Sequence, residues 1–236
     1  MATARFYSKP QPQQQMFDYF LVLDFEATCD SRNTPKPQEI IEWPCLKVDA
    51  KSFEVVSTFH RYILPDVHPT LSSFCTELTG IVQDMVDGEK SFLDVMGEFD
   101  QWMRSEGLLG TESDPEKPTK SSAFVTCGEW DFGTMLRSQC AYHGVQVPTY
   151  CREWINIKKS FHKATGVWPR GMLEMLQRLG LEQRGRHHSG IDDCRNIAQI
   201  VRALGQPPYS LAYALTSQLP SGKTTSQPRY STIKQP

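Results

Sequence analysis

The chain has almost no excess of charge. Its 25 Lys and Arg face 27 Asp and Glu over 236 residues, a formal net charge of -2, so no overall positive field draws it to nucleic acid or anionic lipid. Any contact with a polyanion must be local. No apolar run approaches the roughly 20 residues that cross a bilayer, and the start, MATARFYSKPQPQQQ, has no apolar stretch of the secretory kind. The expectation is an intracellular protein, cytoplasmic and/or nuclear, with no membrane partner. The seven cysteines (Cys29, Cys45, Cys75, Cys127, Cys140, Cys151, Cys194) are odd in number and include no C-x-x-C, which argues against a disulfide framework and against structural zinc. They read as reduced thiols, mostly core filler. No fixed-period repeat is present.

What is present suffices for one real core, since 39% of residues are hydrophobic and 22% charged. Residues 1–16 are rich in Gln and Pro, and residues 206–236 in Ser, Thr, Pro, Gln and Lys. Both read as flexible tails able to recruit protein partners, flanking a single domain over 17–205. Within it, Tyr19 to Phe25 (YFLVLDF), Glu39 to Val48 (EIIEWPCLKV) and Phe53 to Leu64 (FEVVSTFHRYIL) have the content of strands. The three are expected to be consecutive and antiparallel, with Pro44 weakening the second or placing it at an edge. From Ser91 to Glu106, apolar residues recur at three and four positions, the pattern of an amphipathic helix. Gly110 to Ser122 is a polar insertion. A strand at Ala123 to Cys127 precedes expected helices near Phe132 to Tyr142, Ile155 to Thr165, Gly171 to Leu179 and Gly190 to Leu204. Strands first, then helices mixed with one more strand, predict an α/β layer fold with a mixed sheet.

Asp24 and Glu26 lie two apart in the first strand, so they project from one face. Two adjacent acids repel and resist desolvation, and are costly in a core strand unless a cation sits between them. Six acid-x-acid pairs occur in the sequence, yet only this one directly continues an apolar strand run. An exposed strand end is the alternative. In HHSGIDDCRNIAQIVRALG, Ser189 and Asp192 fit a capping box that accounts for Asp192 by structure alone. Asp193 shares a face with Ile197, Ile200, Val201 and Leu204, so it points inward, where a carboxylate needs a cation or several donors. His188 stands just outside this helix, and an imidazole titrating near neutrality can take a proton from a metal-bound water. A solvated loop histidine is the alternative for both His187 and His188. Asp131 follows the short strand of FVTCGEWD and either joins the other acids or caps the next helix.

Four carboxylates and a histidine in this order resemble the DEDDh 3′-to-5′ exonuclease superfamily, which has a ribonuclease H-like fold. The match runs from Phe17 to about Leu204 in motif order. More narrowly, VLDFEATCD, PQEIIEWP, FCTELTGI, VTCGEWD and HSGIDDCRNIA resemble the enhanced-RNAi-type exoribonucleases. The resemblance implies that Asp24, Glu26, Asp131 and Asp193 bind metal and that His188 is the general base. It places Ala27 and Thr28 at the terminal 3′-hydroxyl, and Phe74, Thr79, Gly80 and Ile81 in the pocket for the terminal nucleotide. Gly80 would also end a helix there. Trp130 is either a base-stacking platform or an ordinary buried Trp.

All-oxygen ligation favours hard cations, so two Mg²⁺ are expected, with Mn²⁺ able to substitute. The implied reaction trims RNA 3′ ends, single-stranded by expectation, and releases 5′-mononucleotides. Lys158, Lys159, Lys163, Arg184 and Arg186 either guide the phosphate backbone or form solvated faces. Better-known members carry a nucleic-acid-binding SAP module where this chain has only residues 1–16, and no cysteine follows Cys194, so no Cys/His-rich zinc module is expected after it. A DNA exonuclease on the same scaffold and a non-catalytic RNA-binding adaptor are the rival readings.

Overall fold

A computed structural model of the chain describes residues 15–110 and 118–220. Strand β1 (Tyr19–Leu23) is buried on both faces. Phe20 and Val22 enter one core cluster, and Leu21 and Leu23 enter the other. A strand so placed needs apolar residues at every position rather than at alternate ones, as YFLVL provides. Next come β2 (Glu26–Ala27), β3 (Ile40–Asp49) and β4 (Val55–Tyr62). Leu23 pairs with Cys45 and Glu26 with Glu42, both antiparallel. Strands β1 and β2 are therefore two parts of one strand, interrupted at Asp24 and Phe25.

Pro44 does not mark an edge. Strand β3 has β4 on one side and β1 and β2 on the other, so it is interior, and β4 lies off the main strand path. On its β1 side, Pro44 falls opposite the interruption, where no ladder bond is asked of it.

Three helices follow: α1 (Ser73–Thr79), α2 (Gln83–Val86) and α3 (Phe92–Ser105). Ser91 caps α3 by accepting the Asp94 N–H, as the serine ahead of the periodic run allows. Strand β5 (Ser122–Thr126) runs parallel to β1. A π-helical turn (Asp131–Leu136) then leads into α4 (Arg137–Tyr142), where one regular helix was expected. The helix expected from Ile155 starts later. Glu153–Asn156 forms β6, parallel to β5, and α5 (Ile157–Thr165) begins where the Asn156 side chain accepts the Lys158 N–H at 3.0 Å. Helices α6 (Met172–Leu179) and α7 (Gly190–Gly205) complete the set among the described residues. Helices α5, α6 and α7 cover one face of the sheet, and α3 and α4 the other. This is the mixed α/β layering that the element order predicts.

The segment after 205 is not wholly a tail. The Leu211 N–H donates to Leu204 O at 2.8 Å. Tyr213 is buried against Phe20, and its hydroxyl donates to Val201 O at 2.6 Å. Strand β7 (Ser217–Gln218) pairs with β6. One buried aromatic thus anchors a polar stretch. The remaining parts of the expected tails, 1–14 and 221–236, and residues 111–117 of the expected insertion lie outside the described residues. Among the described residues no helix is long and apolar enough to cross a membrane.

Candidate active site

The interruption between β1 and β2 builds one side of the site. Asp24 lies within it and Glu26 follows two positions on, in phase with Phe20 and Val22 and hence on the face that α7 covers. From α7, Asp193 points inward, and Ile197, Ile200, Val201 and Leu204 on its stripe are all fully buried. One ligand oxygen each from Asp24, Glu26 and Asp193 lie within 4.8 Å of one another. Asp131 is also buried, and its Oδ1 accepts the Phe25 N–H freed by the strand break, at 3.0 Å. It lies outside that group of three, yet it acts on Asp24 more strongly than any other nearby charge. A π-turn at such a position is common beside functional groups.

Helix α7 is seated by groups that sequence spacing does not reveal. Glu42, buried in β3, accepts the Gly190 N–H at 3.0 Å and the Ile191 N–H at 3.2 Å. His60 on β4 meets the same carboxylate at 2.7 Å. Gly190 rests directly on the strand break, since a Cβ there would lie 2.7 Å from Asp24 O. The expected capping box is absent. The Ser189 side chain makes no cap bond, and Asp192 instead accepts the Arg186 N–H at 2.9 Å and pairs with Arg195 at 2.7 Å. Glu42 takes over the capping because it reaches the first turn from the sheet, 148 residues away in sequence.

These acids are hard to ionise together. Burial, followed by Asp131, Glu26, Asp193 and Glu42, pushes the Asp24 carboxyl well above the usual range. Burial, then Glu42 and Asp193, raises Glu26 to about 9. Asp131 rises to about 6 through burial, opposed by the Phe25 N–H. Burial also raises Asp193, against the N–H of His188 and the neighbouring His187. A cluster of this kind needs a positive charge to be anionic at neutral pH. Asp24, Glu26 and Asp193 can hold a metal ion, and an all-oxygen set suits a hard divalent cation.

Two histidines flank Asp193. His188 has a left-handed backbone (φ 64) that directs its N–H to Asp193 Oδ2 at 2.9 Å. Burial, His187 and Arg186 lower its imidazole pKa, opposed by Asp193. His187 stacks on it at 3.9 Å and places Nδ1 3.1 Å from the same carboxylate oxygen. The side-chain contact of His187 was not apparent from the sequence, where the two histidines look alike.

The expected substrate residues divide into committed and open groups. Thr28 donates its N–H to Glu39 O and accepts the Glu39 N–H at its hydroxyl, so it has no free backbone donor. Ala27 is buried, with its carbonyl facing the Cys75 thiol. Thr79 closes α1 by donating to Cys75 O and accepting from Ile81 N, and Gly80 is the left-handed C-cap. Ile81 is buried and Phe74 half-buried. Trp130 is 39% exposed beside Asp131, so an ordinary buried Trp does not describe it. Arg186 packs on Gly80 and hydrogen-bonds the Glu77 carbonyl, tying the histidine loop to α1. Lys158 donates to Arg170 O, Lys159 pairs with Glu129, and Lys163 is exposed.

Comparison with known proteins shows what the chain is similar to. Residues 21–201 match the exonuclease family. The human protein "ERI1 exoribonuclease 3" is 52% identical over 191 residues, covering 80% of this chain and 54% of its own length. The chain thus spans about half the length of the curated relatives it matches. The solved nuclease domain of 3′hExo, described as a DEDDh family member bound to rAMP, is 34% identical with a TM-score of 0.76, covering 86% of this chain and 98% of that one. A second 3′-exonuclease structure, solved for 3′-end recognition of a histone mRNA stem-loop, is also 34% identical, with a TM-score of 0.78 and coverage of 89% and 70%. With these neighbours, the mixed sheet and its helices are a ribonuclease H-like fold.

Proposed function

The chain belongs to the exonuclease family, on its ERI1-type DEDDh branch, and from that premise we infer that it is a 3′-to-5′ exoribonuclease, trimming single-stranded RNA ends to 5′-mononucleotides. The observation that carries this reading is the convergence of Asp24, Glu26 and Asp193 within 4.8 Å from the strand break and α7. The donor set fits divalent cations, and two Mg²⁺, replaceable by Mn²⁺, would supply charge stabilisation at the attacked phosphate and the departing oxygen. Asp24, Glu26, Asp131 and Asp193 are the residues to hold them.

The other steps belong to the chain. Its lowered pKa keeps the His188 imidazole neutral near pH 7, so it can accept the proton of the attacking water. The Asp193 carboxylate orients that segment through the His188 N–H. Ala27 and the turn at Thr79, Gly80 and Ile81 border the terminal nucleotide, and exposed Trp130 offers a face to a base. Thr28 serves by fixing β2 to Glu39. An RNA preference would come from contacts to the 2′-hydroxyl. Seven free cysteines suit an intracellular, reducing location.

The test is trimming of a 5′-labelled oligoribonucleotide beside its DNA counterpart and a 3′-phosphorylated copy. The expected result is a ladder shortening from a free 3′ end, fastest on RNA and blocked by the phosphate. Equal rates on DNA would overturn the RNA assignment. No turnover with either Mg²⁺ or Mn²⁺ would favour the adaptor reading.

A further inference from the structure

Two of the seven thiols meet beside the proposed terminal-nucleotide pocket. Cys29 follows β2, and Cys75 stands in the first turns of α1. Ser72, the N-cap of α1, joins them. Its hydroxyl donates to the Cys29 carbonyl at 2.7 Å and accepts the Cys75 N–H at 3.0 Å. Ser72 thus holds the two cysteines side by side, and each thiol perturbs the other's proton affinity. The Cys75 thiol in turn faces the Ala27 carbonyl at 3.8 Å. Both residues line one cavity of about 160 Å³ with Thr28, His68 and Leu71, Cys29 half-buried and Cys75 buried at its wall.

Chemistry also separates Cys75 from the rest, including Cys29, whose thiol the contact with Cys75 and burial push up. Burial pushes the thiols of Cys45, Cys127, Cys140, Cys151 and Cys194 up, which makes them inert. At Cys75 the contact with Cys29 opposes burial, and the thiol comes down to about 7. A substantial thiolate fraction at neutral pH is the reactive form.

We propose that Cys29 and Cys75 are an oxidation site that closes to a disulfide with a two-electron oxidant such as hydrogen peroxide, impairing the adjoining pocket. The Cys75 thiolate attacks a peroxide oxygen, the O–O bond breaks, and hydroxide leaves a sulfenic acid behind. The Cys29 sulfur then attacks that sulfur, the S–S bond forms, and the departing hydroxide takes the Cys29 proton as water. The two thiols together lose two electrons, and the peroxide becomes two waters. Closure brings the sulfurs to about 2.05 Å. It removes the donor facing Ala27 O and pulls α1 toward the end of β2. The effect on activity rests on the nuclease reading above.

The test treats the full chain with hydrogen peroxide, digests it without reductant, and seeks by mass spectrometry a peptide pair joined through Cys29 and Cys75. RNA trimming is measured before treatment, after it, and after dithiothreitol, for the wild type and for Cys29→Ser. The proposal expects the joined pair and a loss of kcat/KM of about tenfold or more, reversed by reductant and absent from Cys29→Ser. No joined pair, a joined pair with unchanged trimming, or equal inactivation of Cys29→Ser overturns it. If the untreated protein trims no RNA, the nuclease reading fails, and the joined pair alone still decides whether the oxidation site exists.

Discussion

Gly190→Ala separates the geometry of the site from helix propensity. Propensity alone favours the alanine, by up to about 1 kcal/mol in a helix interior. The site opposes it, because the new Cβ would lie 2.7 Å from Asp24 O and 3.0 Å from both Glu42 Oε2 and Pro44 Cγ. A carbon–oxygen contact relaxes at about 3.3–3.6 Å, so the first turn of α7 must retreat by roughly 0.6–0.9 Å. Asp193 sits one turn further along and moves with it, away from Asp24 and Glu26. Displacements near 1 Å at a reacting centre cost up to about 10²-fold in rate, whereas overpacking of this kind costs about 1–3 kcal/mol of stability. Steady-state trimming of RNA and a thermal melt read the two effects separately. The expected outcome is a folded protein with kcat lowered between about tenfold and 10²-fold. Wild-type kcat in Gly190→Ala would refute the view that the contact between α7 and the strand break sets the position of Asp193.

The remaining predictions concern charge and proton transfer. Glu26 titrates at about 9 in the folded, metal-free chain against an ordinary 4.5, so its contribution to stability is full below pH 4.5 and is lost as pH rises toward 9. In chelator, the melting temperature should therefore fall from about pH 6 to about pH 9, and a flat or rising profile would contradict this. Asp24→Asn removes one of the repelling charges, and should abolish trimming while raising the metal-free melting temperature at alkaline pH; full activity in the folded variant would sink the assignment. His188→Ala should lower kcat about 10²-fold or more with little change in RNA affinity, read by turnover and binding side by side. Glu42→Ala strips two N–H groups of α7 of their acceptor and should cost about 0.5–2 kcal/mol in denaturant melts, an effect that Glu42→Gln partly restores.

The readable parts of the sequence were those governed by local spacing. The unbroken apolar run of β1, the periodicity of α3 and the stripe carrying Asp193 each declare their structure within a few residues. Strand β6 escaped because EWIN is only four residues long and runs straight into a helix. Pro44 misled because its tolerance depends on a gap in a neighbouring strand, and such a gap leaves no trace in EIIEWP itself. Glu42 was hidden for a similar reason, since an acid in an apolar strand does not say which distant helix it will cap. Asp131 could be listed as a candidate, but its bond to the Phe25 N–H follows from the break in β1. The stretch around Tyr213 reads as polar tail by composition, and a single ring buried against Phe20 overrides that average.

The most direct test of the account is anomalous diffraction from crystals grown with Mn²⁺, compared between the wild type and Asp193→Asn. Manganese density is expected at coordination distance, about 2.1 Å, from carboxylate oxygens of both Asp24 and Asp193 in the wild type, with its loss or depletion in the variant. Manganese bound only elsewhere, or a wild-type site in which Asp193 takes no part, would contradict it.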